Sequence, residues 1–306
     1  MKLRRLLLAT RDPARAPRAA LTKAAALARA TGATLELFGA LSEPGPVGSP
    51  QRAATLERAR ERLARLAHSP LLRGCRTVSC VEWDRPPHEA IVRRVQKVRA
   101  DLVIATTHAH PAGSRLWLRH TDWELIRHCP CPVLLVKSVR PYSRPAVLVA
   151  LDPFHVHAKP TQLDQQLLAA ARSLAATLRG SVHAFHAYMP LIPSVQGPMG
   201  EPVMWESPEV EEVHGEQVAR EFAREAVRAG IPPARRHLLL GDVPSALAAT
   251  VRRTRAGLVV MGAVSRSALR RLLIGNTAER VLDELGCDVL IVKPRGFKTT
   301  VPRRRP

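Results

Sequence analysis

The feature that most limits what this chain can fold into is a repeat of itself. Arg99-Ala-Asp-Leu-Val-Ile-Ala-Thr106 lies over Arg255-Ala-Gly-Leu-Val-Val-Met-Gly262 at a register of 156 residues. The match runs without a gap to Val136-Lys137 over Val292-Lys293, with Thr121 on Thr277 and Cys131 on Cys287. A unit of about half of the 306 residues describes a duplicated domain and excludes a solenoid, whose repeats are far shorter. The stretch Lys137–Pro145, with its Pro and Arg residues, reads as the linker. We divide the chain into a first domain over 1–138, a second over 144–295 and a basic tail over 296–306.

Within each half, short apolar runs alternate with helical periodicity. The runs predict strands at Leu6–Ala9, Thr34–Phe38, Thr77–Glu82, Leu102–Ala105 and Val133–Val136. The second half repeats them at Val147–Leu151, Val182–Ala187, His237–Leu240, Leu258–Met261 and Val289–Val292. Leu163, Leu167, Ala170, Leu174 and Leu178 fall at three- and four-residue spacing, the stripe of an amphipathic helix. Gly32 and Gly180 stand where a left-handed residue closes such helices, and Pro87 and Pro244 stand where a helix opens. The last two strands of each half are apolar throughout, as strands covered on both faces must be. The fold class is therefore α/β, with two tandem, doubly wound, parallel five-stranded sheets. The fifth strands, Val133–Val136 and Val289–Val292, are short, apolar and last in their sheets. Such edges invite pairing, so the two halves are expected to pack with pseudo-twofold symmetry.

Composition narrows the function classes. Apolar residues at 46% and charged residues at 24% suit a globular protein with a sizeable core. No apolar run reaches the ~18 residues of a membrane span. Lys2, Arg4 and Arg5 precede Leu6–Leu8, but Arg11 and Asp12 close that run short of a secretory leader, so we expect a cytoplasmic protein that avoids membranes. The net charge of +21 raises nucleic acid as a partner. Yet 40 of the 47 basic residues are arginine, spread along helices, and the aromatic content of 4% is too low for base-stacking platforms. Specific nucleic-acid binding is set aside. The odd count of five cysteines argues against a disulfide framework. Cys129-Pro-Cys131, with His108, His110, His120 and His128 upstream, raises zinc, but C-x-C is not the usual ligand spacing, and no metal site is assigned.

No phosphate-loop, dinucleotide, zinc-protease or nucleophile-elbow motif occurs, and no catalytic residue is assigned. The informative stretch follows the fourth strand of the second half: Met261-Gly262-Ala-Val-Ser265-Arg266, then Gly275-Asn276-Thr277-Ala-Glu279 before a helix at Ala278–Leu285. Gly262 lets backbone approach a ligand, and the amides of Gly275, Asn276 and Thr277 face a helix N-terminus that favours an anion. In an open parallel sheet this is the crevice at the carboxyl ends of strands one and four, where Asp152 ends strand one. Asn276-x-x-Glu279 also reads as a capping box, which needs no ligand, and Thr121-x-x-Glu124 occupies the same place in the first half.

On these residues the chain resembles the universal stress protein family in its tandem, two-domain form. Val81-Glu-Trp83, Pro87–Ile91, Thr121-Asp122-Trp123 and Cys129–Val133 carry the likeness in the first half. Gly262-x-x-Ser265-Arg266, Gly275–Glu279 and Cys287–Pro294 carry it in the second. The resemblance implies an adenine-nucleotide α-hydrolase-like fold, and a motif G-x₂-G-x₉-G-[ST] with an Asp at the end of strand one. By position the ligand residues it implies are Asp152, Met261, Gly262, Ser265, Arg266, Gly275, Asn276 and Thr277. Ser265 replaces the second glycine and Asn276 the usual Ser or Thr. The implied ligand is ATP or another adenine nucleotide, with or without Mg, in a regulatory or sensing role. In the first half Thr106, Ala109 and Arg119 replace Gly262, Ser265 and Gly275, so that half is read as having lost the nucleotide. Two other readings stand beside this one. One is an interaction protein, with protein partners, a homodimer or a lipid-like ligand, favoured by Met199 and Met204 in the loop Pro190–Pro208. The other is a slow nucleotide hydrolase.

Overall fold

The computed structural model describes residues 1–10, 17–42, 50–106, 119–154, 162–190, 194–196, 202–204, 208–263 and 276–303. The first half runs β1 (Arg5–Thr10), α1 (Arg18–Thr31), β2 (Thr34–Leu41), α2 (Pro50–Ala67), β3 (Arg76–Trp83), α3 (Pro87–Val98), β4 (Leu102–Thr106), α4 (Arg119–His128) and β5 (Val133–Val136). The second runs β6 (Ala146–Ala150), α5 (Leu163–Thr177), β7 (Ser181–Tyr188), β8 (Ser194–Gln196), β9 (Pro202–Met204), α6 (Pro208–Arg228), β10 (Arg236–Leu240), α7 (Val243–Thr254), β11 (Leu258–Gly262), α8 (Asn276–Glu284) and β12 (Asp288–Val292). All ten predicted strands are present, most of them a residue or two longer than their apolar runs.

Ten strands form one sheet in the order β10-β7-β6-β11-β12-β5-β4-β1-β2-β3. Each half is parallel within itself, and the halves meet where β5 and β12 pair antiparallel. The register there pairs Val133 with Ile291, Leu134 with Leu290 and Leu135 with Val289. Shifting either strand by the 156-residue repeat maps this ladder onto itself, which places a pseudo-twofold axis at the Leu134–Leu290 pair. Two apolar edges have become a fully buried pair of central strands. Helices α1, α2, α5 and α6 pack on one face, and α3, α4, α7 and α8 on the other, so each core layer runs through both halves.

Buried charge ties this seam. Lys23 of α1 and Asp288 at the start of β12 are 1% and 0% exposed, and Lys23 Nζ lies 2.6 Å from Asp288 Oδ2. Tyr142 donates its hydroxyl to the same oxygen at 2.6 Å. The amides of Lys137 and Ser138 donate to Oδ1 at 3.0 Å each. One carboxylate of the second half thus binds a helix of the first and the linker between them. Burial and the Asp288 charge hold the Tyr142 phenol well above its ordinary range. Two lysines at repeat-equivalent positions cross the seam: Lys137 Nζ donates to the Leu282 carbonyl, and Lys293 Nζ to the Arg127 carbonyl at 3.0 Å. The tail returns to the first half, where Gln96 donates to the Val301 carbonyl at 3.1 Å.

Two local expectations are corrected. Gly32 does close α1 in the left-handed region at φ 67°. Gly180 does not close α5, because Arg179 takes that conformation at φ 53°. Gly180 is required for a different reason: a Cβ there would lie 2.1 Å from the Pro145 carbonyl oxygen, which accepts from the Ser181 amide. Thr121 does not cap α4, which begins at Arg119. Glu124 instead binds Arg127 at 2.6 Å and His128 at 3.0 Å.

Candidate functional site

Strand order reverses between β6, whose other neighbour is β7, and β11, whose other neighbour is β12. The carboxyl ends of β6 and β11 therefore border the crevice that a doubly wound sheet leaves open. Val149 pairs with Val260. Extended by two residues, this register sets Gly262 opposite Leu151, with Asp152 next along the chain. Met261, Gly262 and Asp152, which the sequence analysis placed at strand ends, are thus brought to one edge of this crevice.

Asp152 is half-buried, and its backbone is pinned. Its amide donates to Asp164 Oδ2 at 2.8 Å, from the first turn of α5. The preceding carbonyl, Leu151, accepts from His186 Nδ1 at 2.9 Å. His186 is itself buried on β7 between the rings of Phe154 and Phe222, at 6.5 and 6.2 Å. Asp164 and His186 thus fix the turn that carries Asp152. Sequence reasoning passed over both, although a histidine inside a buried strand and an aspartate opening an apolar helix were visible signals.

Gly262 pairs with Val292 and lies against α5. A Cβ there would stand 2.8 Å from Leu163 Cδ2, a fully buried side chain. The absent side chain is accounted for by helix packing as well as by any ligand. Met261 packs toward the opposite face, against the layer of α7 and α8. α8 starts at Asn276, two residues earlier than expected, so Asn276 and Thr277 are its first two residues rather than the segment before it, and Asn276 is not its N-cap. Arg280, one turn on, reaches both Asp242 oxygens at 3.1 and 3.0 Å. Asp242 is the N-cap of α7, so the contact clamps α8 to its neighbour. Ser265, Arg266 and Gly275 lie outside the described residues, as do the side chains of Asn276 and Thr277.

The first half arranges the same edge differently. Leu8 pairs with Ile104, the repeat equivalent of Val260. Carried forward, this puts Thr10 opposite Thr106, and the residues that follow Thr10 lie outside the described ones. The Thr106 side chain stands where Gly262 has none. Among the described residues no group of three His, Cys, Asp or Glu side chains is placed to hold a metal ion. No helix among them is long and apolar enough to cross a membrane.

Comparison with known proteins agrees with the tandem architecture. The profile of the Universal stress protein family matches twice, over residues 2–137 and 145–293. The chain belongs to that family. It is similar to Universal stress protein E of Photorhabdus laumondii, at 28% identity over 96% of both chains. Universal stress protein E of Escherichia coli K12 is 30% identical over 72% of this chain and 69% of its own. A crystal structure described as a universal stress protein from Pseudomonas aeruginosa UCBPP-PA14 superposes with a TM-score of 0.73 at 25% identity, covering 95% of this chain and 94% of that one. One from Archaeoglobus fulgidus, at 15% identity and a TM-score of 0.67, shares the fold.

Proposed function

We propose that the second half binds an adenine nucleotide such as ATP at the carboxyl ends of β6 and β11, as a regulatory or sensing ligand without fast turnover. The observation that carries this reading is the placement of Asp152: a carboxylate on a pinned turn at the switch point, beside Gly262. A carboxylate there accepts from ribose hydroxyls or the adenine amino group. Ser265, Gly275, Asn276 and Thr277 would supply hydroxyl and amide donors to the phosphates, and Arg266 a positive charge. Mg would accompany the nucleotide through those phosphates. The first half takes no nucleotide in this reading, because Thr106, Ala109 and Arg119 replace Gly262, Ser265 and Gly275.

Calorimetric titration with ATP tests it. One site per chain is expected. Asp152→Ala removes hydrogen bonds to a charged group worth ~1.5–3 kcal/mol, a loss of about ten- to a hundredfold in affinity. Gly275→Glu is expected to abolish binding, and substitution of Thr106 or Arg119 to leave it unchanged. Two sites per chain, undiminished binding in Gly275→Glu, or no binding by the intact chain each overturn the reading.

A further inference from the structure

The Cys129-Pro130-Cys131 motif belongs neither to the crevice nor to a metal site. It joins the end of α4 to the start of β5, beside the seam between the halves. The two Sγ atoms stand 3.6 Å apart, either able to donate to the other. Cys129 is fully buried and Cys131 half-buried, and both are free thiols. Burial alone would raise the Cys129 thiol. Hydrogen bonds from the Cys131 thiol and amide, with the Lys293 ammonium nearby, outweigh it and pull Cys129 below its ordinary value. The bond to Cys129, reinforced by burial, holds the Cys131 proton well above the usual range. Of the two, Cys129 is the one that gives up its proton first. A thiolate in contact with a thiol is the arrangement from which a disulfide closes.

The repeat supplies a comparison inside the same molecule. The second half has Leu285-Gly286-Cys287 at this place. Leu285 is a buried apolar side chain, so Cys287 lacks a second sulfur beside it, and burial with the Asp288 charge pushes its thiol to about 12. Burial also raises Cys80, and Cys75 donates to the Ala25 carbonyl at 3.7 Å. The dithiol is a property of the first half alone.

We propose that Cys129 and Cys131 are a peroxide-sensitive modification site that closes to an intramolecular disulfide. The Cys129 thiolate attacks one oxygen of hydrogen peroxide. An S–O bond forms as the O–O bond breaks, and hydroxide leaves. The Cys131 sulfur then attacks the Cys129 sulfur. An S–S bond forms as the S–O bond breaks, and the hydroxyl leaves as water with the Cys131 proton. The two sulfurs lose two electrons, and the peroxide is reduced to water and hydroxide. Closure takes the Cys129 sulfur out of its thiolate form, the form that interacts with Lys293. Burial already lowers that lysine to about 8, and it bonds the Arg127 carbonyl across the seam, so oxidation acts where the halves meet.

The test treats the intact chain with hydrogen peroxide in modest excess, alkylates remaining thiols after denaturation, and maps unreduced peptides by mass spectrometry. The expected result is a peptide with Cys129 and Cys131 two hydrogens lighter and closed to alkylation, reopened by dithiothreitol, while Cys287 alkylates as in untreated protein. Cys131→Ser is expected to stop at the sulfenic acid, trapped on Cys129 by dimedone. Alkylation of Cys129 and Cys131 as complete as that of Cys287 after peroxide overturns the proposal, and so does a disulfide from either one to another chain. The mapping of the unsubstituted protein decides the matter even where the variant fails to fold.

Discussion

Asp288→Asn tests how the two halves are held together. The wild-type carboxylate faces four donors: the Lys23 ammonium and Tyr142 hydroxyl on Oδ2, and the amides of Lys137 and Ser138 on Oδ1. Asparagine keeps the shape but offers one oxygen, so its NH₂ must face either the ammonium and hydroxyl or the two amides. Lys23, at 1% exposure, is left as a buried cation without its counter-charge. Breaking a buried pair from one side costs about 3–5 kcal/mol, a large share of the ~5–15 kcal/mol that stabilises a typical domain. Guanidinium unfolding, followed by tryptophan fluorescence and far-ultraviolet dichroism, is expected to show the unfolding free energy fall by that amount. Lys23→Met/Asp288→Asn removes both charges and is expected to recover about 1–3 kcal/mol of the loss, because the two sites touch. The reasoning fails if Asp288→Asn stays within about 1 kcal/mol of wild type, or if the double variant is no better than the single one.

Other outcomes follow from geometry already described. Gly180→Ala drives a Cβ into the Pro145 carbonyl and is expected to destabilise by more than ~2 kcal/mol, on the scale of severe overpacking. Gly32→Ala meets open space and carries only the left-handed backbone strain of about 1–2 kcal/mol, so the order of their urea midpoints is the check. The rings of His183 and His237 lie nearly parallel with centroids 5.4 Å apart and share a hydrogen bond of 3.1 Å, while Arg253 lies 3.2 Å from the far nitrogen of His237. Because the Arg253 guanidinium can only donate, the neutral tautomers run in one direction, His237 donating to His183 and His183 to Ser181. Burial, His183 and Arg253 lower His237 from 6.5 to about 4, and burial with Arg235 lowers His183. The folded state thus prefers both rings neutral. Their contribution is present above pH 6.5 and is lost as pH falls from there toward 4. His237→Gln is expected to flatten that acid limb in melting temperatures measured across the window; an unchanged limb would show that the pair does not titrate as described.

The strands were readable because a parallel sheet covered on both faces demands uninterrupted apolar runs, and the repeat supplied each run twice. The sequence was read as two five-stranded sheets; they join into one ten-stranded sheet where the apolar edges Val133–Val136 and Val289–Val292, expected to invite pairing, meet as β5 and β12. Gly180 misled because a glycine after a helix has two meanings. Only the approach of Pro145, from a different segment, separates a conformational need from a steric one. Lys23 and Asp288 could not be matched from sequence at all: each reads as a solvated charge until α1 and β12 meet at the seam. At the candidate site, Asp152 and Gly262 were legible as strand ends. Asp164 and His186 were not, since they act on Asp152 only through tertiary contacts, and the part Leu163 plays at Gly262 lies likewise in packing between elements.

The antiparallel β5–β12 ladder has a further consequence for how such a protein changes over time. In a homodimer, each substitution appears in both copies, so every residue at the axis must suit two environments at once. Here a short linker makes the partner part of the same chain, present at an effective concentration of about millimolar or more whatever the protein's abundance. Each side of the axis can then vary alone. In the 156-residue register Asp288 falls on Pro132, Leu285 on Cys129 and Gly262 on Thr106. Joined in one chain, the two halves need not be copies, and each can carry side chains that the other lacks.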